Sequence, residues 1–157
     1  MRLPKELSSE GVEPAVLASL KQEVVELCAG SKASMPVLRL TPGLRKHIFI
    51  AKAVGELIFG FEAIEESLAN ELKGLRNADI LSDRVSRLLL VTNDGSPRFY
   101  RQLEFLQDKQ GGRVLICRLD IDSLLMGKVL GLKAQAVKAV LLNRKKSVLN
   151  VLRSLIT

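Results

Sequence analysis

The chain has few of the side chains on which most enzyme chemistry depends. Its 157 residues include no tryptophan, a single tyrosine (Tyr100), a single histidine (His47) and two cysteines. Nucleophilic catalysis needs a nucleophile, a base and an orienting group, yet His47 follows Arg45 and Lys46 with no serine or cysteine pattern beside it. No glycine-rich phosphate-binding loop occurs either. We therefore expect a protein that is not an enzyme and that needs no cofactor.

The sequence also lacks a pattern that would hold a metal ion. Cys28 and Cys117 lie in apolar surroundings, without the CxxC or Cys/His spacing of a zinc site, and are expected to be buried, reduced thiols. Asp120 and Asp122 stand two apart, but no third ligand follows them. A helix cap is the better interpretation of Asp122. No metal is expected.

Long apolar runs are missing as well. No apolar stretch approaches the roughly 20 residues that a bilayer crossing requires. The first five residues, Met-Arg-Leu-Pro-Lys, lack the apolar core of a secretory signal. We expect a cytoplasmic protein with no membrane partner, and the length suits one domain with a full hydrophobic core.

Acidic residues are scarce in one half of the chain. Residues 1–83 carry 10 Lys and Arg against 12 Asp and Glu, whereas residues 84–157 carry 14 against 5. The whole chain has a formal charge of +7. A half with this excess of positive charge attracts polyanions, and nucleic acid is the commonest intracellular polyanion.

The first 41 residues carry one helical pattern and one extended segment. Pro14 suits the first turn of a helix and Gly30 its end. The apolar residues at helical spacing between them are Val16, Leu20, Val24 and Leu27. Residues 36–40 are short, extended and bounded by prolines, which favours at most an edge strand. The sequence thus predicts an N-terminal extension with one helix over residues 1–41.

From residue 42 onward, helix and strand patterns alternate. Strand patterns lie at residues 56–59, 88–92, 114–117 and 137–142. Helical patterns begin after Thr41, at Phe61, at Pro97, at Asp122 or Ser123, and at Lys145. Such alternation is typical of an α/β protein. Residues 42–157 are therefore predicted to form a three-layer α/β/α sandwich around a small mixed sheet.

Two of these helices carry expectations about individual side chains. The helix after Thr41 is expected to turn Leu44, Ile48, Ala51 and Val54 inward. The helix from Phe61 has its leucines and Ile64 at helical spacing on one face. The glutamates of that second helix are expected to point largely outward, namely Glu62, Glu65, Glu66 and Glu71.

Four segments carry a resemblance to a known family. They are residues 55–64, 90–97, 126–131 and 137–142. In this order and spacing they resemble the kink-turn RNA-binding ribosomal superfamily, the L-seven-Ae and L-thirty-e group with its bacterial relatives. The matching features are a Gly-x-Leu-x-x-Gly start to a helix, a strand with an acidic turn and Ser-Pro, a Gly-x-x-x-Gly helix, and the last strand. The resemblance covers residues 42–157 and implies an L-seven-Ae/L-thirty-e-like fold.

The resemblance also implies where RNA would be held. In the family, RNA contacts the loop and helix after the glycine matched by Gly60, and the apolar loop before the last strand. The best-known binders carry Asn, Glu and Lys where this chain has Glu62, Ala63 and Glu66. Because carboxylates repel phosphate, we expect the phosphate contacts from the basic residues instead. The predicted RNA-binding residues are Gly60, Phe61, Glu62, Arg98, Arg101, Lys133, Gln135, Lys138 and Lys145.

Three functions remain open at this point. The first is a protein that binds structured RNA, with ribosomal or other ribonucleoprotein components as further partners. The second is a protein-interaction module on the same fold, whose acidic helix at residues 62–71 and N-terminal helix face a partner or a second copy. The third is an α/β enzyme, or its substrate-recognition domain, with a polar pocket around His47 or Asp94. Convergence of the predicted basic residues on one surface would favour RNA.

Overall fold

The computed structural model describes residues 1–157 as seven helices and six strands. The helices are α1 (Lys5–Ser9), α2 (Glu13–Lys21), α3 (Pro42–Ala53), α4 (Phe61–Asn77), α5 (Pro97–Gln110), α6 (Ser123–Val129) and α7 (Lys145–Ser154). The strands are β1 (Val24–Glu26), β2 (Ser34–Leu38), β3 (Leu57–Phe59), β4 (Arg87–Val91), β5 (Val114–Leu119) and β6 (Ala139–Leu142). None of the helices combines the length and the apolar character that a bilayer crossing demands.

The strands form one mixed sheet in the order β1-β2-β5-β4-β6-β3. β2, β5 and β4 run parallel to one another, and β6 runs antiparallel to both β4 and β3. β1 is the outermost strand on one side of the sheet and forms an antiparallel hairpin with β2, whereas β3 is the outermost strand on the other side. The prediction of an α/β fold with a mixed sheet is confirmed.

Two helical layers cover the sheet and bury both of its faces. On one face, α1, α2, α3, α6 and α7 pack over side chains that include Leu88 and Leu90. On the other face, α4 and α5 pack over the alternate residues, Leu89 and Val91. Because successive side chains of a strand point to opposite faces, a central strand between two layers must be apolar throughout. The continuous apolar run of β4 has this physical cause.

Side-chain caps fix the starts of three helices where the sequence predicts them. The hydroxyl of Thr41 accepts a hydrogen bond from Leu44 N at 3.1 Å, and that of Ser96 accepts one from Phe99 N at 3.2 Å. A carboxylate oxygen of Asp122 accepts one from Leu125 N at 2.8 Å. Each cap satisfies a backbone N–H that has no partner within the helix. Asp122 is therefore a cap, as predicted.

The prediction of one helix in residues 1–41 is wrong. α2 ends at Lys21, and Val24 lies in β1, paired with Pro36 of β2. The adjacent β-branched residues Val24 and Val25 favour a strand over a continued helix. β2 is not an edge strand, since it lies between β1 and β5. Residues 1–41 and 42–157 consequently share one sheet and one core, to which the first segment contributes Leu3, Leu7, Val16 and Leu20.

Three expectations about single side chains also need correction. Val54 is 60% exposed, because α3 ends at Ala53 and Val54 lies beyond its last turn. Glu71 does not point into solvent but forms ion pairs with Arg87 and Arg113. Cys117 is buried, whereas Cys28 is only half-buried, and both thiols are free. Burial raises the pKa of each thiol above its ordinary value.

Candidate nucleic-acid interface

Most of the predicted RNA-binding residues lie around one edge of the sheet, by which we mean the edge formed by the ends of the strands and not an outermost strand. β3, β4 and β5 end at this edge and β6 begins there. Gly60 N donates to Ala139 O at 3.2 Å, Thr92 N donates to Lys138 O at 3.0 Å, and Asn93 N donates to Ile121 O at 2.9 Å. These bonds join the segments into one surface, which we call the Gly60 edge. It comprises residues 60–62, 92–101, 120–123 and 132–138.

Asp94 connects two segments of the Gly60 edge. Its carboxylate accepts hydrogen bonds from the Thr92 hydroxyl at 2.8 Å and from the backbone N–H and hydroxyl of Ser123 at 3.0 and 2.8 Å. Partial desolvation of the carboxylate raises the pKa of Asp94, but the hydrogen bonds from Ser123 and Thr92 outweigh it and hold the pKa below the ordinary value. The acidic turn after β4 is thus attached to the start of α6.

Aromatic packing places the start of α5 beside the start of α4. The Tyr100 hydroxyl donates to Thr92 O at 2.7 Å and accepts from Gly95 N at 3.0 Å. A Cβ on Gly95 would stand 2.5 Å from the Phe99 ring, so this turn requires glycine. The rings of Phe99 and Phe61 meet edge to face with centroids 5.6 Å apart. Phe61, a predicted site residue, thereby contributes packing to the surface.

The segment before β6 lies directly on α6. A Cβ on Gly127 would stand 1.8 Å from Gln135 O, and Val137 N donates to Ser123 O at 2.9 Å. Ala134 adopts a left-handed backbone with φ of 51°, a conformation that non-glycine residues rarely adopt. The tight turn leaves Lys133, Gln135 and Lys138 exposed at the Gly60 edge.

The positive charges at the Gly60 edge are free, whereas most of the negative ones are engaged. Arg98, Arg101, Lys133 and Lys138 are exposed, and none of their side chains forms an ion pair or a hydrogen bond within the protein. By contrast, Asp94, Asp120 and Asp122 all accept hydrogen bonds. Glu62 is exposed and unpaired beside Gly60. The residue ranges of this edge hold four cations and four carboxylates, so the positive potential is local to the two segments that carry the free cations, and a polyanion would meet it there.

Lys145 does not belong to this surface. β6 runs antiparallel to β4 and β3, so its last residue, Leu142, pairs with the first residue of β3 and lies beside the start of β4. Lys145 follows Leu142 and consequently lies at the opposite edge of the sheet, where its ammonium group pairs with Glu6 at 2.7 Å. The expectation that Lys145 joins the other basic residues is wrong.

Two arginines near the Gly60 edge are not among the RNA-binding residues that the sequence predicts. Arg118 lies near the end of β5, and its Nε atom is buried without a hydrogen-bond partner. Arg39 follows β2 and pairs with Asp120 and Glu23. A hydrogen bond from Asn93, together with the nearby charges of Arg39 and Arg118, holds the pKa of Asp120 below its ordinary value. The sequence could have placed both arginines here, because parallel strands end at the same edge of a sheet. That inference requires β2 to be recognised as a strand of the sheet.

Comparison with known proteins assigns neither a family nor a function to this chain. No protein-family model and no curated protein matches the chain. A function is therefore inferred from the free cations and the construction of the Gly60 edge.

Proposed function

We propose that this chain is a non-enzymatic RNA-binding protein of the ribosomal type that its sequence resembles, and that it binds structured RNA at the Gly60 edge. The observation that carries the proposal is the set of four exposed, unpaired cations on two separate segments of that edge. Arg98 and Arg101 lie at the start of α5, and Lys133 and Lys138 flank the turn at Ala134. Salt-dependent contacts to phosphates are the natural use of such a set.

The division of charge within the edge suggests how RNA would lie on it. Phosphates would be held by Arg98 and Arg101 on one side and by Lys133 and Lys138 on the other. Glu62, with Glu65 and Glu66 one turn later in α4, repels phosphate. The start of α4 is therefore better suited to the 2′-hydroxyls and base edges of an RNA bend. Selectivity would come from RNA shape more than from base sequence.

Binding of fluorescent structured RNA across a salt series tests the proposal. We expect an affinity that falls steeply with salt for the unmodified chain, because each phosphate contact releases counterions. The double variant R98Q/K133Q should bind about tenfold or more weakly and show a salt slope smaller by about two contacts. An RNA with a kink-turn and one without it should be compared in parallel.

A matched control removes the same charge elsewhere in the molecule. Lys73 and Lys109 are exposed near the far ends of α4 and α5, away from the Gly60 edge. K73Q/K109Q should retain the affinity and the salt slope, apart from a small long-range effect of net charge. Absence of binding at low salt, or an equal loss in both double variants, would refute the proposal.

The protein-interaction alternative has one observation in its favour and one against it. The exposed glutamates of α4 offer an acidic face beside the cations. The apolar residues of α1 and α2, however, are already buried in the core, so these helices have no comparable apolar face left for a partner. The enzyme alternative is weaker still, since both carboxylate oxygens of Asp94 are engaged by hydrogen bonds.

A further inference from the structure

A cavity of about 370 Å³ opens at the edge of the sheet opposite the Gly60 edge. β4 and β5 begin here, and we call this surface the Arg113 edge. The cavity lies between α1, the second half of α4, the connector from α4 to β4, and the first residue of α7. Its charged lining consists of Lys5, Glu71, Arg84, Arg87, Arg113 and Lys145. Five cations thus face one carboxylate.

That one carboxylate is fully occupied. Arg87 donates to Glu71 through Nε and Nη2 at 3.1 and 3.0 Å, and Arg113 pairs with the other carboxylate oxygen. The side chain of Arg113 is 1% exposed, and its remaining N–H groups donate to Gln110 and to Leu68 O. Glu71, Arg87 and Arg113 therefore form a fixed floor that retains a net positive charge.

Donors that are still available stand around the mouth of the cavity. The side chain of Lys5 is exposed and forms no ion pair or hydrogen bond. Arg84 uses Nη1 to donate to Leu3 O at 2.9 Å and makes no other side-chain hydrogen bond. Lys145 pairs with Glu6 and retains further N–H groups, since an ammonium group has three. An anion between these three groups would meet several donors, and beside Lys145 it would also meet the Glu6 carboxylate, whose second oxygen has no hydrogen-bond partner.

One wall of the cavity is apolar. Leu75 and Ile80 contribute to the lining, and Ile80 is 66% exposed in the connector after α4. The volume lies within the range of natural small-molecule sites, which starts at about 300 Å³, and it exceeds what a bare phosphate would fill. A basic mouth beside an apolar wall suits a ligand that has an anionic end and an apolar or aromatic body.

We propose that this cavity binds a small phosphate monoester with an aromatic or apolar group, its phosphate held by Lys5, Arg84 and Lys145 and its body against Leu75 and Ile80. The proposal does not rest on RNA binding, because these residues lie at the opposite edge of the sheet. It assigns a role to Lys145 that the Gly60 edge does not provide.

Calorimetric titration in chloride buffer with three probes tests this site. Adenosine 5′-monophosphate should bind with one-to-one stoichiometry, inorganic phosphate more weakly, and adenosine more weakly than the monophosphate. Lys5→Gln, which removes an unpaired exposed cation, should weaken binding of the monophosphate about tenfold, as expected for one charge-assisted hydrogen bond. Lys128→Gln, an exposed lysine on α6, is the matched control and should bind as the unmodified chain does.

The same titration separates this site from the proposed RNA interface. R98Q/K133Q should bind the monophosphate unchanged, and Lys5→Gln should bind structured RNA unchanged. The proposal is overturned by binding that does not saturate below about 10 mM at low salt. It is also overturned by equal affinity for adenosine and its monophosphate, or by equal losses in Lys5→Gln and Lys128→Gln. Loss of monophosphate binding in R98Q/K133Q would place the ligand at the Gly60 edge instead.

Discussion

At the scale of single residues, two glycines that pack against segments of the Gly60 edge have no room for a side chain. Gly95 lies under the rings of Phe99 and Tyr100, and Gly127 lies under the backbone of Gln135. In each case the neighbour belongs to a segment that carries free cations. The requirement is one of space, because the backbone of neither glycine needs a positive φ. Both positions should therefore tolerate no larger residue without movement of the adjoining segment.

Gly127→Ala should lower the free energy of unfolding by about 2–3 kcal/mol, as overpacking of a tight contact does. The added Cβ would stand 1.8 Å from Gln135 O, so the backbone of the turn has to move. Urea denaturation measures the stability. RNA titration should show weaker binding even where the variant is fully folded, because Lys133 and Lys138 move with the turn.

Gly74→Ala is the control for this prediction. A Cβ added to Gly74, inside α4, would meet no atom of another element within 4 Å, so alanine should raise the stability by about 0.5–1 kcal/mol through helix propensity. Equal effects of the two substitutions would contradict the packing argument at Gly127.

The Asp94 carboxylate makes stability depend on pH. Its pKa is lowered in the folded state, so its contribution is present above the ordinary pKa of about 3.9 and is lost as pH falls through the lowered value. Asp94→Asn should cost about 1 kcal/mol at pH 7, a small value because the residue is exposed to solvent. The difference from the unmodified chain should shrink as pH falls below about 4.

Asp108→Asn provides the comparison at the same net charge. The side chain of Asp108 is exposed on α5 and forms no ion pair or hydrogen bond. Thermal unfolding of both variants between pH 3 and pH 7 should show a pH-dependent loss for Asp94→Asn and none of similar size for Asp108→Asn. A loss at Asp94 that stays constant with pH would show that the carboxylate charge is not responsible.

At the scale of elements, direction within the sheet decides which charges meet. α4 and α5 both begin at the Gly60 edge, because each follows a strand that ends there. β6 runs the other way, so its four residues separate Lys138 from Lys145. Seven residues apart in sequence, these two lysines lie at opposite ends of the same strand. Spacing in the sequence contains no information about this separation until the direction of β6 is known.

The same scale shows how far the sequence predicts the fold. Helix starts with a cap and a proline, such as Thr41-Pro42 and Ser96-Pro97, were predicted correctly because the signal is local. The end of α2 was predicted wrongly. Val24 and Leu27 continue the apolar spacing of the helix by coincidence, although β1 begins at Val24. Short strands of this kind are specified by their pairing with a neighbour, which a single segment does not reveal.

For the candidate site, the sequence predicts which segments lie close together wherever a helix starts directly after the end of a strand. The Gly60 and Arg98 segments each follow a strand that ends at one edge, so their proximity follows from the α/β pattern. Glu71 was misjudged because its partners Arg87 and Arg113 come from β4 and from the turn before β5. Long-range ion pairs leave no trace in the periodicity of one helix.

At the scale of the whole molecule, the predicted extension (residues 1–41) and the predicted domain (residues 42–157) are not two separate folding units. β2 pairs with β5, and the side chains of α1 and α2 join the core that also contains α3 and α7. Removal of residues 1–41 would expose one side of β5 and the apolar residues beneath α1 and α2. The folded state would lose a third of its strands together with this burial.

We expect a chain of residues 42–157 not to fold as a stable monomer. An unpaired β5 next to an uncovered apolar face favours association with other chains. Circular dichroism and gel filtration should show loss of cooperative unfolding or the appearance of large species. Within the full chain, Leu20→Ala should cost about 2–5 kcal/mol, as expected for a fully buried leucine. A cooperative monomer of residues 42–157 would show that the extension is dispensable.

The outermost strands have a practical consequence for the behaviour of the protein in solution. β1 and β3 are each three residues long, so each side of the sheet presents few free backbone groups. Short edge strands are one of the devices by which natural proteins avoid pairing with a neighbouring molecule's sheet. The full chain should therefore remain monodisperse by light scattering at the high concentrations that weak ligands require, so that titration heats report the ligand and not self-association.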